Sequence, residues 1–159
     1  MINNDFKMPI IMIGHSFKYE TEATLKLFFN TARFSFSNNE NDAMGDTFVI
    51  HRFDGNSTAS AHIRLNGIDR NKETSLPYNC DSKEIEYTVC RLVYELLTES
   101  TGITPPWGLL TGIRPVKKVI DLIRQGKSEN EVYSALGNRF LVSQKKLKLA
   151  YDTAVNQLP

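Results

Sequence analysis

Cysteine and histidine are scarce in this chain, whose 159 residues include two cysteines and three histidines. Cys80 and Cys90 lie ten residues apart, and the histidines at positions 15, 51 and 62 are scattered. Zinc and iron–sulfur sites draw on three or four thiolate or imidazole ligands at characteristic spacings. We therefore expect the chain itself to hold no metal and no iron–sulfur cluster. A disulfide is not expected either, because disulfides are rare in cytosolic proteins.

Long apolar runs are also missing. The longest, such as Pro9–Ile13, are far shorter than the roughly 20 apolar residues that cross a bilayer as a helix. No basic segment followed by a long apolar stretch marks a signal peptide. Apolar residues make up 41% and charged residues 23% of the chain, which is typical of a soluble globular protein. We expect a cytoplasmic protein with no membrane partner.

The first 103 residues alternate between strand and helix patterns. Arg33–Ser37 and Thr58–Leu65 have the period of two that a half-buried strand requires. Asp81 resembles an N-cap, and the apolar stripe after it ends at Gly102, which predicts a long amphipathic helix. Polar composition predicts a loop over Asp69–Asn79. We also predict a strand at Pro9–Ile13, a helix at Tyr19–Asn30, a strand within Asp46–Phe53 and a hairpin turn at Asp54–Asn56.

This order of elements predicts an α+β fold, with a small, mainly antiparallel sheet and packed helices over residues 1–103. Residues 104–159 are predicted to form a signature loop followed by an all-helical extension, with N-caps at Ser128 and Ser143. The extension is basic: residues 105–159 carry 9 Lys and Arg against 4 Asp and Glu, whereas residues 1–104 carry 10 against 14. Such a charge indicates either an anionic partner or a solvated helical face.

The most distinctive segment is Trp107–Lys117, with the sequence WGLLTGIRPVK. It holds the only Trp of the chain, and it combines two Gly with a Pro shortly after Pro105-Pro106. Pro fixes φ and Gly opens φ values that other residues avoid, so the segment specifies a backbone shape. Elsewhere no Ser-His-Asp, Cys-His or paired-carboxylate arrangement stands out, and nothing specific supports catalysis by this chain.

Read as a block from Ser100, this segment is similar to the N-terminal region of HemZ-type proteins, which are oxygen-independent coproporphyrinogen III dehydrogenase-like enzymes of the radical S-adenosylmethionine class. The likeness continues through Gly126-Lys-Ser128, Phe140-Leu-Val-Ser143 and the final helix, and covers residues 98–158. The resemblance implies an accessory domain of an enzyme of haem synthesis. It implies that the enzyme oxidatively decarboxylates two propionates of a tetrapyrrole substrate.

In that family a catalytic barrel follows this region and opens with a Cys-x₃-Cys-x₂-Cys motif, which holds a [4Fe–4S] cluster that binds S-adenosylmethionine. This chain has no such motif. The resemblance therefore implies that the chain is a non-catalytic fragment whose native reading frame continues past Pro159 into the barrel. The barrel, as part of the same polypeptide, is its expected partner.

The resemblance makes Trp107, Thr111, Gly112, Arg114 and Lys117 the candidate residues for docking the barrel or contacting an anion. For Arg114 the alternatives are a bidentate contact with a propionate and a structural role in which its guanidinium caps nearby carbonyls. Trp107 either packs under the loop or contacts a partner. The Thr111-Gly112 backbone offers an amide to an anion, which is a weak signal beside a true phosphate loop.

A rival hypothesis is a small binding module whose basic tail contacts nucleic acid. Glu129–Leu136 and Gln144–Leu158 resemble a helix-turn-helix with lysines at 145, 146 and 148. The link Gly137–Ser143 is longer than the usual three or four residues, and only Gln144 could read a base at the start of the second helix. Nucleic-acid binding is therefore the less favoured interpretation.

Overall fold

The computed structural model describes residues 7–55, 57–110 and 114–159. By the contacts between residues, the chain divides into two compact units, Met1–Ile103 and Thr104–Pro159. We call them the N-terminal and the C-terminal unit and treat each separately. That they are independent domains stays a prediction.

The N-terminal unit is built on a five-stranded sheet with the order β2-β1-β3-β4-β5. β1 lies between β2 and β3 and runs parallel to both, whereas β4 is antiparallel to β3 and β5. The sheet is thus mixed, with half of its strand pairs parallel, and the predicted α+β class is confirmed. The strands are β1 (Lys7–Ile13), β2 (Arg33–Ser37), β3 (Phe48–Asp54), β4 (Thr58–Leu65) and β5 (Ile68–Ser75).

Alternation in the sequence decides which side chains enter the core. Every second residue of β4, from Ala59 to Leu65, is buried, and the residues between them are only half-buried. The described residues of this unit form two α-helices, α1 (Lys18–Lys26) and α2 (Ser82–Thr101), and a short 3-10 helix, Glu40–Asp42. Helix α2 packs across β3, β4 and β5 and against α1. The apolar stripe of α2, including Val89, Val93 and Leu97, is buried there. Helix α1 ends at Lys26, earlier than predicted, because the amides of Leu27 and Phe28 bond to carbonyls three residues back, those of Thr24 and Leu25.

The sequence predicts a loop over Asp69–Asn79, and this prediction is wrong, because most of that segment forms β5. Asn66 and Gly67 both adopt positive φ, at 52° and 81°, and this turn folds the chain back along β4 for eight residues. An edge strand needs no apolar face, and charged side chains protect such an edge from pairing with other chains. Lys72 of β5 pairs instead with Glu95 and Glu99 of α2, at 2.9 and 3.2 Å.

The ends of α2 are specified by local chemistry, as the sequence predicts. The side chain of Asp81 accepts a hydrogen bond of 2.8 Å from the amide of Glu84, and Gly102 closes the helix in the left-handed conformation. In the described part of the chain, no helix is both long and apolar enough to cross a membrane.

In the C-terminal unit the described residues, 104–110 and 114–159, form three α-helices: α3 (Pro115–Arg124), α4 (Glu129–Ser134) and α5 (Gln144–Gln157). Ser128 and Glu131 form a full capping box at the start of α4, and Ser143 caps α5 by accepting from the amide of Lys146. Helix α4 does not stop at Gly137 but continues as a π-helical segment, Ala135–Arg139. The buried core of this unit consists of Leu110, Val119, Val132, Leu136, Val142, Leu147, Ala150 and Ala154.

The Asp81 cap gives a first prediction. Replacing Asp81 by Ala removes the acceptor for the amide of Glu84, and we expect the free energy of unfolding of the N-terminal unit to fall by about 1 kcal/mol. Ser82→Ala, one residue into the helix, is the matched control and should change it by less than about 0.5 kcal/mol. Urea denaturation followed by far-ultraviolet circular dichroism measures both. Equal effects of the two substitutions would show that the cap contributes nothing.

Candidate functional site

The signature loop, residues 105–117, is described at residues 105–110 and 114–117. Its first part forms two tight turns, in which the amides of Gly108 and Leu110 bond to the carbonyls of Pro105 and Trp107, at 3.0 and 3.1 Å. Two further backbone bonds tie it to the segment between the π-helical turn and α5. The amide of Leu109 donates to the carbonyl of Phe140 at 2.7 Å, and the amide of Ser143 donates to that of Pro106 at 2.9 Å.

Gly108 makes this close approach possible. It has a φ of 56°, and a Cβ at this position would lie 2.0 Å from the carbonyl oxygen of Phe140 and within 2.6 Å of the backbone of Leu141. Both neighbours are backbone atoms, which cannot rotate away as a side chain would. Leu141 itself adopts a φ of 59°, a conformation that costs a branched residue energy and persists only where the surroundings hold it.

Trp107 is half-buried and packs against the core of the C-terminal unit. The ammonium of Lys146 lies 5.4 Å from the centre of its indole ring, and the ammonium of Lys118 lies 5.6 Å from the ring of Phe140. Both separations suit a cation–π contact. One side of Trp107 thus serves internal packing, and the remaining part of its surface is open.

Arg114 and Lys117 stand at the start of α3. Arg114 is the N-cap residue of this helix with an extended backbone, and its side chain makes no capping bond. Both side chains are exposed, and neither forms an ion pair or hydrogen bond with any described residue. Residues 111–113, which precede Arg114, lie outside the described residues, so both roles considered for the Arg114 guanidinium stay predictions. Cations at a helix N-terminus also oppose the helix dipole, so their position gains nothing for α3 itself.

Thr111 and Gly112 lie outside the described residues. Among the other candidates, Trp107 makes no hydrogen bond, ion pair or ring contact with Arg114 or Lys117. What sequence reasoning missed is the second half of the site, namely Phe140 and the two lysines on the aromatic rings. The resemblance includes Phe140, and Lys146 belongs to the basic tail, but no local pattern predicts their contacts, which arise from the tertiary approach at Gly108.

Both thiols of the chain have a raised pKa. Burial raises the pKa of Cys90 to about 12, and burial together with the nearby carboxylates of Glu84 and Asp81 raises that of Cys80. The thiolate is the nucleophilic form of cysteine, and these shifts disfavour it. Within the described residues, no group of three or more His, Cys, Asp or Glu could hold a metal ion.

Comparison with known proteins gives one informative relative. The chain is 25% identical over 136 residues to the oxygen-independent coproporphyrinogen-III oxidase-like protein HemZ of Bacillus subtilis strain 168. The match covers 83% of this chain but 27% of that protein, so the chain spans about a quarter of the relative's length. No protein-family model matches the chain, and no solved structure matches it.

The approach at Gly108 gives a second prediction. Gly108→Ala places a Cβ against the Phe140 carbonyl, and we expect it to lower the free energy of unfolding of the C-terminal unit by more than about 3 kcal/mol. Gly126→Ala is the matched control, because Gly126 also has a positive φ, 83°, but open space around it. Its cost should be the strain alone, about 1–2 kcal/mol.

Trp107 is the single tryptophan and lies beside Gly108, so its fluorescence in urea reports the unfolding of this unit. Similar losses in the two variants would mean that the signature loop can move away from Phe140 at little cost.

Proposed function

We propose that this chain is the N-terminal accessory part of a longer oxygen-independent coproporphyrinogen III dehydrogenase-like protein of haem synthesis, and that it is itself non-catalytic. The similarity to HemZ, over 83% of this chain, carries the proposal. The alignment covers only part of the relative, which agrees with an accessory part of a longer polypeptide. Two cysteines are fewer than a [4Fe–4S] cluster draws on, and the raised pKa of both thiols disfavours the nucleophilic thiolate.

The longer protein, in this proposal, is a cytoplasmic enzyme of the radical S-adenosylmethionine class. Its remaining part would hold a [4Fe–4S] cluster and S-adenosylmethionine and act on a tetrapyrrole that carries propionates. The observation that supports this placement is the cysteine count: this chain has two, whereas a [4Fe–4S] cluster is held by three or four thiolates, so the proposal assigns the chemistry to the rest of the polypeptide.

The signature loop is proposed as the element that docks the remainder of the polypeptide. Its backbone is fixed by the Gly108 approach, which presents Trp107 in a defined position. Arg114 and Lys117 are exposed cations without a partner among the described residues. Thr111 and Gly112 stand between Trp107 and Arg114 in the sequence and are included in the proposed contact. Arg and Trp are the residue types that most often anchor interfaces. Contact with a substrate anion is secondary in this proposal.

The nucleic-acid alternative gains no support from the structure. A recognition helix needs its cations free to face phosphates and bases. In α5, Lys146 lies over Trp107, and Lys148 pairs with Asp152 at 3.2 Å. The π-helical continuation of α4 also replaces the tight turn that a helix-turn-helix requires.

A third prediction concerns the division of chemistry. After anaerobic reconstitution with iron and sulfide, the full-length protein should show the brown colour of a [4Fe–4S] cluster and convert coproporphyrinogen III when supplied with S-adenosylmethionine. The 159-residue chain should stay colourless under the same treatment. A stable cluster on this chain alone would contradict the non-catalytic role, and an unreactive but fully loaded full-length protein would contradict the proposed substrate.

A fourth prediction tests docking through Arg114. Trp107 also packs in the core, so its removal would disturb the fold, whereas Arg114 is exposed and can be changed without that effect. We expect Arg114→Lys to weaken binding between this chain and the separately expressed remainder by about fivefold or more, because Lys cannot reproduce a bidentate contact. Arg124→Lys, an exposed arginine in the last turn of α3, is the matched control.

Isothermal titration calorimetry gives the two dissociation constants, and urea denaturation checks that the variants are equally stable. Unchanged binding with Arg114→Lys and Arg114→Ala would remove Arg114 from the interface.

A further inference from the structure

Two histidines that are distant in sequence lie in contact inside the N-terminal unit. The ring centres of His15 and His51 are 4.4 Å apart, with an edge-to-face angle of 68°. His51, in β3, has no exposed surface, and neither of its ring nitrogens has a hydrogen-bond partner among the described residues. A buried polar group without a partner is costly, and such groups call for an explanation.

The backbone at Gly14 brings the pair together. Gly14 follows β1 with a φ of 79°, and a Cβ there would lie 1.9 Å from the carbonyl oxygen of Phe53 in β3. The chain that leaves β1 is therefore pressed against β3. His15 comes next, and its ring lies against that of His51.

His15 also holds the start of α1. Its Nδ1 accepts a hydrogen bond of 3.3 Å from the amide of Phe17, the N-cap residue of α1, which makes no capping bond with its own side chain. The amide of Thr21 in turn donates to the carbonyl of Phe17 at 3.0 Å. Because Nδ1 is the acceptor, this arrangement requires a neutral His15; an imidazolium carries a proton on both nitrogens and can only donate.

No charged group compensates a proton on either ring among the described residues. Burial lowers the pKa of both imidazoles, that of His51 to about 3, and repulsion from a charge on His15 contributes to the shift at His51. The backbone of His51 raises the pKa of His15, but this only partly opposes the effect of burial. The strand neighbours of His51 are Met12 in β1 and Ala61 in β4.

The nearby cations are engaged elsewhere. Arg52, whose side chain points to the opposite face of the sheet, pairs with Glu40 at 2.6 Å, and Lys18 lies over the ring of Phe36. On the side of α2, Glu95 and Glu99 pair with Lys72.

We propose that His15 and His51 form a proton-operated latch, which holds the connection from β1 to α1 closed while both imidazoles are neutral and releases it in mild acid. The proposal does not depend on the proposed function. When the connection opens, both rings reach water and regain an ordinary histidine pKa of about 6.5. The open state therefore binds more protons, so the closed state loses stability as the pH falls below about 6.5.

The size of the effect is set by proton linkage. Below about pH 6.5 the equilibrium constant for opening should rise by up to about tenfold per pH unit for each histidine that stays neutral in the closed state. For His51 this dependence should continue down to its closed-state pKa of about 3. If both histidines act together, the equilibrium constant for opening should rise by up to about a hundredfold per pH unit.

Amide hydrogen exchange, corrected for the intrinsic rate and followed by NMR from about pH 7.5 to about pH 5, measures this constant. Opening at α1 is followed at two amides: that of Thr21, which bonds to the carbonyl of Phe17, and that of Phe29, just after the helix, which bonds to the carbonyl of Leu25. The amide of Leu147 in the other unit is the internal reference. In the unmodified chain we expect protection in α1 to fall steeply below about pH 6.5 and protection at Leu147 to change little.

The variants separate the two rings. His15→Asn keeps a side-chain acceptor for the amide of Phe17 but cannot be protonated. It should therefore reduce the pH dependence of the opening constant by about a factor of ten per pH unit. His51→Leu should do the same, and the double variant should be flat. His62→Gln is the control, because His62 is a surface residue that pairs with Asp69 at 2.7 Å outside the pair.

Two results would overturn the latch. One is a double variant with the slope of the unmodified chain. The other comes from the unmodified chain and needs no variant to fold: ring proton shifts of His15 or His51 that titrate at or above pH 6.5 in the closed state would show that opening takes up no extra proton.

Discussion

Each unit of this protein depends on a close approach of two backbone segments at a glycine. Gly14 lies against the carbonyl of Phe53 and Gly108 against that of Phe140, with no room for a Cβ at either position. Both glycines stand where the chain leaves a regular element or a turn, so each approach decides the path of the next segment of the chain. After Gly14 the chain places His15 on His51 and begins α1; after Gly108 it seats Leu110 in the core of the C-terminal unit.

Side chains that act locally could be predicted from the sequence, whereas those that act through such approaches could not. Alternation identified β2 and β4 with their full bounds, and the caps at Asp81, Ser128 and Ser143 are all present. β5 was not predicted, because a polar edge strand shows no alternation of apolar residues and contains no turn signal. The partners of Trp107 and the contact between His15 and His51 join residues 36 to 39 positions apart, and no local signal records them.

Electrostatics differ in kind between the two units. In the N-terminal unit the charges near α2 satisfy one another, as Lys72 and Arg91 both pair with Glu95. In the C-terminal unit Arg114, Lys117 and Lys145 have no ion-pair partner among the described residues, and the segment 105–159 has nine basic residues against four acidic ones. Unpaired cations of this kind raise the local positive potential, which attracts an anionic surface. This supports the view that the exposed cations beside the signature loop serve association rather than the fold.

The order of residues 105–110 bears on the docking role proposed for the signature loop. Because the Gly108 approach already orders residues 105–110, a partner that binds them would lose little conformational entropy in doing so. A tether to the rest of the same chain would also supply an effective concentration in the millimolar range, so a small contact area around Trp107 and Arg114 would suffice. The backbone order of residues 105–110 is therefore compatible with the docking role proposed for the signature loop.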